Sequence, residues 1–263
     1  MGALACFGFG FITVGSIMPQ PRYGNPFPRL VRYPQTQSLA DAMGVPSRGR
    51  DYCVARLRPY RRAGTPLFAN IGGFSAAAIA DSFFAVEPHV DAVEISLMCP
   101  NVRPGEHFDE LALLRDVLAR IAERRRPAII RVPNDTAVAP DRLAELIERC
   151  IDAGVAGIKV GGGRPVPEPQ LGVQAGTLHG RAIFARALAN VERAAKIARG
   201  RIDIKGNGGV SSGADALAML RAGAVCVDIY SAFIYRGWRV ARDISCELIA
   251  AQAAASSLGK AAA

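Results

Sequence analysis

The chain has 263 residues, of which 50% are hydrophobic and 21% charged, and its formal net charge is +9. That balance is typical of a globular chain with an ample core, in one domain of α/β-barrel size or two smaller ones. A basic surface can serve nucleic acid, an acidic lipid face or an anionic substrate, but a solvated arginine-rich face is the interpretation we favour.

The six cysteines include no Cys-x-x-Cys pair and have no histidine cluster near them. This spacing argues against a zinc site or any other metal site and against a disulfide framework, and it favours a reducing, cytoplasmic compartment. The apolar N-terminal stretch MGALACFGFGFITVGSIM lacks a basic region and is too short and glycine-rich for a membrane span. We therefore expect a soluble protein without a stable membrane anchor.

Strand-like runs bounded by glycine or proline alternate with amphipathic helices along the whole chain. The predicted strands lie at residues 11–17, 67–71, 92–97, 128–132, 157–160, 202–205 and 224–230. The predicted helices lie at residues 76–86, 109–123, 140–153, 183–199, 211–222 and 239–254.

Alternating apolar strands and helices predict a parallel sheet wrapped by helices. Their number and length favour an α/β fold of the (β/α)8 TIM-barrel type, as a single domain over residues 1–263, with an open doubly wound sheet as the alternative. Seven strands are visible, so we expect the barrel to be incomplete at the N-terminus.

A glycine-rich turn follows the strand predicted at 202–205, in the stretch IKGNGGVSSGADALAMLRAGA. Gly208 and Gly209 would let the backbone approach an anion, and Ser211 and Ser212 open a helix whose free N–H groups can hold one. The sequence therefore predicts a phosphate-binding turn here.

The last predicted strand continues into DIYSAFIYRG, which brings Tyr230 and Ser231 to the same rim. In barrels, a phosphate is commonly bound after the seventh and eighth strands. The two segments together favour a phosphorylated ligand.

Several motifs resemble those of the dihydroorotate dehydrogenase family, in the family's own order. They are GFGFITVGSIMPQPRYGNPFPRLVR, ANIGG, EISLMCPNVRPG, LHGRAIF, GNGGVSSGADALAMLRAGA and DIYSAFIYRG. The resemblance covers nearly the whole chain, and it implies a (β/α)8 barrel that binds FMN. It also implies an oxidoreductase of pyrimidine biosynthesis that forms a C=C bond.

The resemblance places Cys99 on the position of the family's catalytic base, a cysteine or serine before Pro-Asn. Asn101 falls on the asparagine after the proline, which implies a substrate contact. A thiol must be partly thiolate to act as a base, and the charge of Arg103 would help. The alternative is that Cys99 is a packed thiol.

The same resemblance implies further flavin contacts. They are Ser16, Asn70, Ser96, Arg131, Gly180, Gly208, Gly209, Tyr230 and Ser231. Ser96 stands where the family has an asparagine that touches both flavin and orotate, which makes it a substrate-binding candidate as well. His179, beside Gly180, is more simply interpreted as a residue without a cofactor role.

The positions that contact the substrate in the family carry different residues in this sequence. Ser96 and Gly162 replace asparagines that contact orotate, and Arg131 replaces a lysine, which is not a conservative change. A pocket built to hydrogen-bond a polar ring loses affinity steeply when such partners go. We therefore expect either dihydroorotate or a related cyclic molecule as the substrate, and the resemblance implies a quinone, fumarate or a nicotinamide as the electron acceptor.

Two other functions stay open. A degenerate barrel would bind a ligand or partner without catalysis, and a tRNA-dihydrouridine synthase would also use FMN and a cysteine before proline.

We expect no nucleic-acid partner, because GNPFPR and YRG are dehydrogenase motifs; a homodimer is compatible with the sequence. A chain starting at Met1 is expected to hold FMN weakly, because the family's first strand carries part of the flavin site.

Overall fold

The computed structural model describes residues 2–58, 64–97, 109–133 and 140–261. Within them the strands are β1 (Ile12–Ile17), β2 (Leu30–Tyr33), β3 (Ser38–Asp41), β4 (Leu67–Gly72), β5 (Ala92–Ser96), β6 (Ala128–Arg131), β7 (Gly157–Gly161), β8 (Arg164–Pro167), β9 (Ala175–Gly180), β10 (Asp203–Asn207) and β11 (Cys226–Asp228). The helices are α1 (Gly2–Ala5), α2 (Arg50–Leu57), α3 (Ala76–Val86), α4 (Glu110–Arg120), α5 (Pro140–Asp152), α6 (Phe184–Ala198), α7 (Gly213–Arg221), α8 (Ser231–Arg236) and α9 (Val240–Ala261).

Seven strands form one parallel sheet in the order β1-β4-β5-β6-β7-β10-β11. The register places Ile12 opposite Leu67 at one end of the sheet and Lys205 opposite Cys226 at the other. All seven strands that the sequence predicts are present, and helices separate most of them. The predicted α/β fold with a seven-stranded, incomplete barrel is confirmed.

The two faces of this sheet differ sharply in polarity. Alternate residues of a strand point to opposite faces, and one face carries isoleucines that are at most 2% exposed, Ile71, Ile95, Ile130, Ile158 and Ile204. They belong to the main core together with apolar residues of α3, α4, α5 and α6. Their neighbours in sequence include the polar or charged residues Asn70, Glu94, Arg131, Lys159 and Lys205, so the inner face of the barrel is the polar one.

A second, antiparallel sheet has the order β2-β3-β9-β8, and its strands were not predicted. It is tied to the barrel by Tyr235, whose hydroxyl donates to the Ser38 carbonyl at 2.6 Å, and by the Ala182 amide, which donates to Ser38 Oγ at 3.1 Å. The sheet therefore lies against the rim from which α8 starts.

The N-terminal residues lie against the C-terminal helices. The Phe9 ring lies 6.0 Å from that of Phe233, and the Phe7 ring lies 5.6 Å from that of Trp238. In the described part of the chain, β1 and β11 are the edges of the parallel sheet and do not pair with each other. Among the described helices none combines the length and apolarity that a bilayer crossing requires.

Candidate active site

A cavity of about 710 Å³ lies at the carboxyl ends of the parallel strands, and the small sheet forms part of its wall. This volume suits a small-molecule ligand, and the carboxyl end is where barrel enzymes build their sites. Most of the predicted flavin contacts line it: Ser16, Asn70, Arg131, Gly180, Gly208, Gly209, Tyr230 and Ser231. Of the predicted contacts that the structure describes, only Ser96 is not part of the lining.

The turn after β10 has the conformation that only glycine adopts without strain. Gly208 has a φ of +126° and Gly209 a φ of +74°. A Cβ on Gly209 would lie 2.8 Å from the Gly180 carbonyl oxygen, so this turn and the end of β9 touch. Within the described residues we find no hydrogen bond from the backbone amides of Gly208 or Gly209, which leaves both available to a ligand.

The start of α7 is arranged differently from the sequence-based expectation. The Ser211 amide and hydroxyl both donate to Asp215 Oδ2, at 2.9 and 3.0 Å, and the Gly213 amide donates to Glu247 Oε2 at 2.7 Å. Ser212 Oγ accepts from the Asp215 amide. The Ser211 and Gly213 donors are therefore already used by carboxylates and the Asp215 amide by Ser212, so we expect the glycines to hold an anion at this rim.

Tyr230 and Ser231 follow β11 at the same rim. Tyr230 is 49% exposed, whereas Ser231 is buried. Burial, with a smaller contribution from the Asp41 carboxylate, raises the pKa of Tyr230 above its usual value. Its hydroxyl therefore stays protonated at neutral pH and can donate a hydrogen bond to a ligand.

Ser16, Asn70 and Ser96 form a chain of hydrogen bonds across three neighbouring strands. Ser16 Oγ donates to Asn70 Oδ1 at 2.8 Å, and Asn70 Nδ2 donates to Ser96 Oγ and to Glu94 Oε1, both at 3.0 Å. Both amide hydrogens of Asn70 are thus engaged within the chain. What Asn70 still offers to a ligand is acceptor capacity on Oδ1.

Four charged side chains form a closed ion network on the inner face of the barrel. Lys205 Nζ lies 2.9 Å from Glu94 Oε2 and 3.1 Å from Asp228 Oδ1. Lys159 Nζ lies 2.8 Å from Glu94 Oε1 and 2.7 Å from Asp228 Oδ2. Each ammonium contacts both carboxylates, so the four charges balance inside the barrel.

The network also sets the protonation of its members. Burial alone would raise the pKa of Glu94, but the ammonium groups of Lys159 and Lys205 overcome it and lower the pKa to about 2. Burial would lower the pKa of Lys159, but Asp228 and Glu94 outweigh it and raise that pKa. Glu94 and Lys159 are therefore both charged at neutral pH, and both line the cavity together with Asp228.

The sequence analysis did not identify this network, although its signal is visible. The apolar strands AVEIS, GIKVG and CVDIY each contain one charged residue, and DIKGN contains Lys205 after the exposed Asp203 at its start. A charge in a buried strand needs a partner, and here each of four strands contains one. Carboxylates on β5 and β11 pair with ammonium groups on β7 and β10.

Cys99 and Asn101 lie outside the described residues, as does Arg103. Leu97, just before this segment, and Glu110, two residues after its end, both line the cavity. Glu110 is buried, and burial raises the pKa of its carboxyl. Among the residues that the structure describes, no group of three or more histidine, cysteine or acidic side chains is placed to hold a metal.

Sequence comparison with known proteins points to one family. The family model for dihydroorotate dehydrogenase matches residues 2–251. A dihydroorotate dehydrogenase (quinone) of Deinococcus radiodurans is 34% identical over 94% of this chain and 72% of its own length. The protein of the same name from Chloroflexus aurantiacus is 32% identical over 92% of this chain and 73% of its own length.

The fold comparison agrees. The crystal structure of DHODH from Eimeria tenella in complex with ferulenol has a TM-score of 0.85 and 25% identity, covering 96% of this chain and 77% of that one. Family model, relatives and fold thus converge over most of the chain. The chain belongs to the dihydroorotate dehydrogenase family, whose members are flavin-dependent oxidoreductases acting on CH–CH groups.

Proposed function

We propose that this protein binds FMN in the cavity and oxidises dihydroorotate, or a related cyclic substrate, to a product with a new C=C bond. The observation that carries the proposal is that one cavity joins a glycine-lined rim suited to a phosphate with polar side chains suited to a heteroaromatic ring. The names of the relatives support the substrate, because those proteins are dihydroorotate dehydrogenases.

The residues present fit FMN. At the rim, Gly208 and Gly209 have backbone amides without partners in the described chain, and Tyr230 offers a hydroxyl donor. At the other end, the guanidinium of Arg131 lines the cavity, where it would favour the anionic edge of a flavin ring. When bound, FMN supplies the acceptor for the hydride that leaves the substrate.

In this proposal Cys99 takes the proton from the substrate carbon next to the one that loses hydride. The thiolate is the basic form, so the reaction needs Cys99 to be partly deprotonated. Cys99 is two residues after Leu97, and Leu97 and Glu110, on either side of this segment of the sequence, both line the cavity. This supports the assignment, because a base must come within hydrogen-bond reach of the proton it removes.

The substrate pocket would differ from that of relatives that use asparagines here. Ser96 Oγ already accepts from Asn70 Nδ2, and Gly162 has no side chain to donate to a substrate. A substrate would therefore find fewer donors than two asparagines provide, which weakens its binding. We propose a quinone as the electron acceptor, on the names of the relatives.

The test is the visible spectrum of the purified protein, followed by anaerobic addition of dihydroorotate. We expect oxidised flavin, identified as FMN after release, at an occupancy that rises when FMN is added, and its absorbance should bleach with dihydroorotate and return with a short-chain quinone. Protein without flavin, after refolding with excess FMN, would contradict the proposal and favour a non-catalytic barrel. Bound FMN that does not bleach with dihydroorotate would refute that substrate and leave FMN binding in place.

A further inference from the structure

We infer that His179, held by Asp41, binds the phosphate group of the flavin mononucleotide. This inference rests on the proposed function and adds a cofactor contact outside the glycine rim. The two residues are close on the small sheet, where Asp41 on β3 pairs with Thr177 and His179 on β9 pairs with Leu39. Asp41 Oδ2 lies 3.2 Å from His179 Nε2. Both residues line the cavity.

The imidazole ring is fixed from several sides. The Tyr230 ring meets it edge-on, with centroids 5.7 Å apart and an interplanar angle of 85°. A Cβ on Gly163 would lie 2.7 Å from His179 Cε1, so the glycine there leaves the space that the ring fills. A ring held by Asp41, Tyr230 and Gly163 has one orientation, which is what a ligand contact needs.

That orientation directs one nitrogen to the carboxylate and leaves the other for a ligand. Nε2 of His179 faces Asp41, and within the described residues we find no hydrogen bond to Nδ1. An imidazole that contacts a carboxylate through Nε2 and a phosphate through Nδ1 carries a proton on each nitrogen, so both nitrogens donate in that complex. The side chain is 22% exposed and lines the cavity, so a ligand there can reach the ring.

The location selects a phosphate as the ligand group. His179 directly precedes Gly180, and the Gly180 carbonyl lies against Gly209 of the glycine rim. The same ring contacts Tyr230, next to Ser231. A ring that donates through Nδ1, beside unpartnered backbone amides, suits a phosphate. In that complex the doubly protonated ring would also offset the charge of Asp41, whose carboxylate would otherwise repel the phosphate.

The experiment compares FMN with riboflavin, which lacks the phosphate. Flavin is removed from the purified protein and titrated back, with quenching of flavin fluorescence as the readout. We expect H179A to weaken FMN binding about 10- to 100-fold, as the loss of a charge-assisted hydrogen bond does. Riboflavin binding should change by less than about twofold, because it makes no such bond.

Two further variants separate this role from a merely structural one. H179N places an amide donor near the position of Nδ1, so it should recover part of the FMN affinity that H179A loses. D41N/H179A should bind FMN more tightly than H179A alone, because the unpaired carboxylate is gone. H89A is the matched control, since His89 lies after α3 at the end of a short 3-10 helix and is not among the cavity-lining residues described.

The outcomes are distinct. Failure of the wild-type protein to bind FMN would overturn the proposed function itself. If the wild type binds FMN and H179A binds it equally well, or if H179A weakens riboflavin as much as FMN, the phosphate contact is refuted and the proposed function stands. Should H179A not fold, the FMN-to-riboflavin affinity ratio of H179N against H89A decides: an unchanged ratio refutes the contact, and a lowered ratio supports it.

Discussion

The ammonium group of Lys205 donates a hydrogen bond to Thr13 Oγ1 at 3.2 Å and thereby joins β10 to β1. The same ammonium lies 3.1 Å from Asp228 Oδ1 on β11. In the described part of the chain β1 and β11 are the two edges of the parallel sheet. One buried side chain therefore links both edges through the barrel interior, where no backbone hydrogen bonds join them.

Replacing Lys205 should destabilise the fold strongly. In K205M the carboxylates of Glu94 and Asp228 share only Lys159, and one buried negative charge stays uncompensated. Breaking a buried ion pair from one side costs about 3–5 kcal/mol in the free energy of unfolding. Urea denaturation checks this, with K196M as the control, because Lys196 on α6 is exposed. Equal midpoints for the two variants would contradict it.

The Glu94 carboxylate should stabilise the folded protein at neutral pH and lose this effect in acid. Its pKa is lowered in the folded protein from 4.5 to about 2, so its contribution is complete above pH ~4.5 and is lost as the pH falls towards 2. A shift of that size corresponds to roughly 3 kcal/mol. We expect E94Q to be less stable than wild type at pH 7, with a difference that shrinks below pH ~4.5 and nearly vanishes near pH 2. A pH-independent difference in urea denaturation would contradict this.

Much of the fold could be predicted from the sequence, for physical reasons. The parallel strands are apolar runs buried by helices, and their periodicity is visible locally. The small sheet was missed because β2 and β8 are only partly buried and give no apolar run, and β8 contains Pro165 and Pro167. Its central pairing joins Ser38 to Gly180, far apart in sequence. Pairing over that distance leaves no local signal.

Part of the candidate site could likewise be predicted from the sequence, and part could not. Gly208 and Gly209 were predictable, because a glycine pair leaving a strand indicates an unusual backbone conformation in any context. The ion network and the Asp41–His179 pair were not, because a charged residue in a strand does not reveal which residue on another strand pairs with it. His179 was interpreted as unimportant, since its partner Asp41 lies on a strand that the sequence did not predict.

A side chain at Gly209 should prevent FMN retention. A Cβ there would lie 2.8 Å from the Gly180 carbonyl oxygen and from Phe184 Cα, which would force the rim to move. The matched control is Gly200, whose φ of +73° is nearly that of Gly209 but whose Cβ would meet nothing within 4 Å. Both G209A and G200A strain the backbone by about 1 kcal/mol or more. Only G209A should lose bound FMN, measured as flavin absorbance per protein after gel filtration.

Full flavin occupancy in G209A would argue against the glycine rim as the phosphate site. The larger G209V tests the same point with a side chain that cannot be accommodated by a small shift. If G200A lost FMN as well, the loss would reflect general backbone strain, and the rim assignment would fail.

Cys99 should matter for the chemical step and not for the cofactor. We expect C99A to keep its FMN and to slow anaerobic flavin reduction by dihydroorotate by about 10²–10⁴-fold, the usual contribution of a positioned base. C99S should retain part of the rate with a higher pH optimum, because a hydroxyl is harder to deprotonate than a thiol. Stopped-flow absorbance measures each rate, with C246A as the control, since Cys246 is exposed and free. A wild-type rate in C99A would leave Cys99 as a packed thiol and require the proton to go to another group.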